Sequence, residues 1–167
     1  MKSIAHFSIR SQQAIGASLV ERFCLNHQIS NASVSAFITH LWNLALAVDI
    51  PAWDKAGAAL EISGRGDSLP GVLIEEIGSE RASGLARICE CVAEIGLSQL
   101  YGAYRPAESL RFLNLAAEEA GIGLAGFEVA GAFQQHEPGS DGWGSAISKG
   151  ELCRWQTDAR NLCQTQQ

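Results

Sequence analysis

Residues 31–49, NASVSAFITHLWNLALAVD, decide the fold class. Val34, Phe37, Ile38, Leu41, Trp42 and Ala45 recur at the i, i+3, i+4, i+7 spacing that puts them on one face of an α-helix. Ser33 stands where an N-cap belongs, just ahead of that stripe. Asn31-Ala32-Ser33 also spells a glycosylation sequon, and it is read here as a helix cap instead.

The same periodicity extends outward in both directions. Residues 11–27 carry Ile15, Leu19, Val20 and Phe23 as a first helical stripe. Residues 51–60 open with Pro51, suited to a first helical turn, and offer Trp53 and Leu60 as an apolar edge. Residues 63–71, SGRGDSLPG, are punctuated by Gly64, Gly66, Pro70 and Gly71 and read as a loop. Arg65-Gly66-Asp67 is a tripeptide that adhesion receptors recognise, but in this context it is an incidental linker. Asp67 and Ser68 are candidate caps for a short helix over 69–77. Residues 80–104 form a long helix with the stripe Leu85, Ile88, Cys89, Val92 and Ile95, ending near Gly102. The helix over 105–121 opens at Pro106 and closes at Gly121, with Leu110, Leu113 and Ala117 inward. Ser148 and Glu151 have capping-box spacing at the start of a last helix lined by Leu152, Trp155, Ala159 and Leu162.

Strand-like alternation is missing along the chain. The expected fold is all-α: a compact single domain spanning 1–167, of six or seven helices, with a glycine-rich irregular segment near 121–147. Any short strand is expected around 122–129, and residues 163–167 are expected to fray.

A chain of 167 residues with 47% hydrophobic and 18% charged side chains can bury a core without disulfides. The net charge of −6 makes nucleic acid a poor partner, because phosphate binding needs clustered Lys and Arg. Residues 48–80 hold most of the imbalance, with Asp49, Asp54, Glu61, Asp67, Glu75, Glu76 and Glu80 against Lys55 and Arg65. That run is either a solvated surface or a patch that steers a basic partner. Five cysteines, an odd count, and a polar N-terminus imply reduced thiols and a cytoplasmic location. No apolar run approaches the ~18 residues of a membrane span.

Several motifs fail on context. GIGLAG at 121–126 matches the dinucleotide fingerprint, with Asp141 downstream, but a helix rather than a strand precedes it. Cys89 and Cys91 point about 200° apart on a helix and cannot share a metal. His6, His27, His40 and His136 are scattered, and no Gly-x-Ser-x-Gly elbow marks a nucleophile. No catalytic residue, cofactor or metal is assigned. The loop HEPGSDGWG at 136–144 gathers His136, Glu137, Asp141 and Trp143 and is the most site-like segment. Its plain alternative is that Trp143 pins a long loop onto the domain.

The order HLWNLALAVDIPAWDKAG, GDSLPG, a long helix and GWGSAISKGELCRW resembles small all-helical bacterial immunity proteins, which neutralise a cognate toxin. The resemblance implies a non-catalytic binding protein whose partner is a protein, with a basic toxin as the natural case. On physical grounds an acidic surface can occlude a basic cleft and speed association. Asp49, Asp54, Asp67, Glu75 and Glu76 are the candidate partner-binding acids, with Trp53 and Trp143 as aromatic anchors. Two rivals remain. One is a small-ligand or enzymatic site between helices near His40, Glu94, Tyr101 or His136. The other is a homodimer or larger homo-oligomer built on a Leu/Trp stripe of the second or last helix.

Overall fold

Helix α1 (Ile9–Asn26) runs through the middle of the protein, with almost every residue from Ile9 to Cys24 buried. A computed structural model describes residues 3–101, 103–128 and 131–164. A 3-10 turn (Ile4–His6) leads into α1, followed by α2 (Ala32–Asn43), α3 (Ile50–Ala58), α4 (Gly71–Ile77), α5 (Ser79–Leu97), α6 (Pro106–Ala120), α7 (Ala125–Glu128), α8 (Gly131–Gln134) and α9 (Lys149–Gln164). The fold is all-α, and the described residues contain no strand.

α1 packs against α2, α5, α6 and α9. Ile15, Leu19, Val20 and Phe23 are buried, as their spacing predicts. Each contributes about 1.5–3 kcal/mol relative to exposure. Arg10, Gln12 and Gln13 of the polar N-terminal stretch are buried as well. Backbone carbonyls make this tolerable. Gln12 Nε2 donates to Phe7 O at 3.0 Å, Gln13 Nε2 to Val92 O at 2.9 Å, and Arg10 to Leu44 O and Gly144 O. Gly16 lets α5 approach closely: a Cβ there would sit 2.8 Å from Ile95 Cδ1.

The expected stripes face inward. Val34, Phe37, Leu41, Trp42 and Ala45 are buried, as are Leu85, Ile88, Cys89, Val92 and Ile95. Leu41, Trp42, Leu152 and Trp155 are therefore covered by their own chain. Gly121 ends α6 in the left-handed conformation (φ 67°). The capping box is present, with Ser148 N–H donating to Glu151 Oε2 at 2.8 Å and Glu151 N–H to Ser148 Oγ at 3.2 Å.

Some boundaries differ. Asn31, not Ser33, caps α2, its side chain accepting from Ser33 and Val34 N–H. α5 stops at Leu97 rather than near Gly102. Pro70 precedes α4 without a side-chain cap, because Asp67 instead accepts from the Ser63 hydroxyl at 2.8 Å. The strand expected around 122–129 is replaced by α7, and α8 follows it, so the helix count exceeds six or seven. α9 continues through Gln164 and Cys163 is buried against α1, so fraying does not begin at 163; residues 165–167 lie outside the described residues. No helix among the described residues is long and apolar enough to cross a membrane.

Candidate functional site

Pro51 and the N-cap Asp49 start α3, with Asp49 Oδ1 accepting from Ala52 N–H at 2.9 Å. Trp53, one turn on, points inward. Its ring stacks on His40 at 4.6 Å and 8°, and its Nε1–H donates to His40 O at 2.9 Å. Burial pushes the His40 imidazole from its ordinary 6.5 down to about 4, Arg65 pushing the same way and Asp54 opposing. Asp54 pairs with Arg65 at 2.5 Å and accepts from the Tyr101 hydroxyl at 3.4 Å. Thus Arg65 and Asp67 of the adhesion-like tripeptide are both engaged within their own neighbourhood, Arg65 by Asp54 and Asp67 by Ser63.

α4 presents Glu75 and Glu76 to solvent. They lie three and four residues after Val72, which is 77% exposed, so all three share one face. Leu73 and Ile77 anchor the opposite face in the core. Val48, 91% exposed, adjoins Asp49, and Tyr101, 83% exposed, touches Asp54. Three large exposed apolar side chains therefore stand among the carboxylates of the acidic segment. None of the three was marked as an anchor from sequence. The i, i+3, i+4 relation of Val72 to the two glutamates is the signal that was available for finding the α4 face.

The two tryptophans expected as anchors are brought together, but inside. Trp53 and Trp143 share a buried cluster with Ile9 and Leu44. Neither presents an indole face to a partner in this conformation.

The irregular segment 135–147 forms a strap over the start of α1. Ile9 N–H donates to Gly142 O at 2.9 Å, Arg10 Nε–H to Gly144 O at 3.0 Å, and Ile147 N–H to Ala45 O at 2.9 Å. Trp143 pins the strap, as the plain reading expected. Gly144 (φ 74°) is required, because a Cβ there would run into the His136 ring. His136 Nε2 lies 2.8 Å from Ser145 O, which only accepts, so Nε2 carries the proton. Nδ1, 2.6 Å from Ser8 Oγ, then accepts from the Ser8 hydroxyl. Burial holds the His136 imidazole below its ordinary value, opposed by its Ser145 hydrogen bond.

This Ser–His pair has the connectivity of a nucleophile and base but the placement of a clamp. Ser8 has no exposed surface, and its oxygen already accepts from Ser11 N–H at 3.1 Å as the N-cap of α1. The other side of His136 opens on a groove of about 590 Å³ between α8 and α9, bordered by Ile147, Glu151, Arg154, Trp155 and Asp158. His40, by contrast, lines a cavity of only about 10 Å³. Glu94 is part-buried on α5.

Among the described residues no cluster of three or more His, Cys, Asp or Glu is placed to hold a metal. Cys24, Cys89 and Cys163 are buried, and burial raises each thiol, Cys24 to about 12. No family model matches the chain, and neither a curated protein nor a solved structure matches it significantly.

Proposed function

We propose that the protein is a non-catalytic binding protein that neutralises a basic protein partner through the acidic face of 48–80, as an immunity protein does its toxin. The observation that carries this reading is the placement of Val48, Val72 and Tyr101, exposed, beside Asp49, Glu75, Glu76 and Asp54. Apolar contacts beside carboxylates supply affinity, and the charge supplies steering and selectivity. Asp54 and Asp49 are partly occupied by Arg65 and by the α3 N-terminus, so Glu75 and Glu76 carry the charge most available to a partner. The test is affinity capture with the wild type and with Glu75→Lys/Glu76→Lys as baits. A basic protein retained by the wild type and by the control Glu90→Lys, but lost by the double variant, supports the reading. Equal retention by the double variant contradicts it.

A second reading is favoured by the His136 groove. Its volume suits a small ligand, and Trp155 offers an aromatic wall beside Glu151, Arg154 and Asp158. Ligand screening that shifts the amides of 131–158 in a saturable way would move the function there.

A further inference from the structure

We propose that the groove between α1 and α9 is a binding site for a small carboxylate with a short apolar stem. The site is separate from the acidic face and does not rest on that reading. Its centre is Arg22, only 8% exposed. Arg22 Nε is buried and finds no hydrogen-bond acceptor among the described residues. No ion pair is formed by Arg22 among them either.

Local charge leaves a vacancy of one sign. The groove brings Arg22 together with Arg160 and Glu21. Glu21 is already engaged: Arg160 Nε and Nη2 donate to it at 3.2 and 3.3 Å, and Trp42 Nε1 donates at 3.0 Å. Two guanidinium groups against one carboxylate leave one positive charge over. Cys163 does not neutralise it, because burial keeps its thiol protonated. Ser18 spends its hydroxyl proton on Ile15 O at 2.7 Å. Arg22 lines the groove without a carboxylate partner among the described residues, and a bidentate carboxylate is the ligand a guanidinium fork fits best.

Size and polarity narrow the class. The cavity holds about 90 Å³, room for a carboxylate and a few carbons but not for a nucleotide. Leu25, 69% exposed, forms an apolar lip on which a short stem can lie.

The experiment is an NMR titration of the isotope-labelled full chain with butyrate. Its neutral isostere butyramide and inorganic phosphate serve as parallel probes. Saturable shifts of amides in 18–25 and 159–164 are expected with butyrate alone. Arg22→Met should weaken butyrate at least about tenfold, and Arg160→Gln should weaken it less. Equal shifts with butyramide, saturation by phosphate instead of butyrate, or undiminished butyrate binding in Arg22→Met would each overturn the assignment. If Arg22→Met does not fold, undiminished binding by Arg160→Gln does the same.

Discussion

Ser8 Oγ and His136 Nδ1 stand 2.6 Å apart although 128 positions separate them in the chain. One hydroxyl thus caps α1 and ties the strap to it. Ser8→Ala removes both interactions and leaves a buried imidazole nitrogen unpaired. It should cost about 1–3 kcal/mol, read as a lower urea midpoint. An unchanged midpoint would show that the strap is held by its other contacts, Trp143, Arg10 and the backbone bonds of Ile9 and Ile147.

Burial lowers both His40 and His136, so the folded chain binds fewer protons than the unfolded chain just below pH 6.5. Their contribution to stability is present above pH 6.5. It is lost as the pH falls from there toward the folded-state value, about 4 for His40. Between pH 7 and 5 His40 should lower the stability, by less than its full shift because the ring is part-exposed. His40→Phe keeps a ring stacked on Trp53 and cannot titrate. Its urea midpoint should fall less over this interval, and an equal fall would refute the assignment.

Gly144 combines φ 74° with close approach to His136. Gly144→Ala should destabilise the protein by at least about 1 kcal/mol. The His136 ring resonances should move with it, which a change confined to the backbone would not produce.

Trp53 and Trp143 support folding rather than docking. Truncation of either to Ala should cost about 3–5 kcal/mol in thermal or urea denaturation. Trp53→Phe and Trp143→Phe, which keep much of the packing, should bind the partner as tightly as the wild type. A clear loss of affinity in either folded variant would return the indoles to the interface.

Much of the helical layout is legible in the sequence, because single-face stripes such as Leu85, Ile88, Cys89, Val92 and Ile95 leave a 3.6-residue signature. α1 shows its stripe of Ile15, Leu19, Val20 and Phe23 but hides the burial of its other faces. A helix surrounded on all sides has no polar face, and its Arg10, Gln12 and Gln13 find carbonyls that only the tertiary fold brings near. The strap is illegible as structure because its hydrogen bonds to Ile9 and Arg10 cross more than 130 positions. The acids of 48–80 were visible as a charge run. The exposure of Val48 and Tyr101 depends on packing that no local pattern encodes.

Hydrogen exchange on the complex with the captured basic protein tests the central claim most directly, because it reports which elements the partner covers. Binding through the acidic face predicts protection in 48–55 and 71–80, around Val48, Asp49, Val72, Glu75 and Glu76. Protection confined to 131–158, around His136 and Trp155, would contradict it.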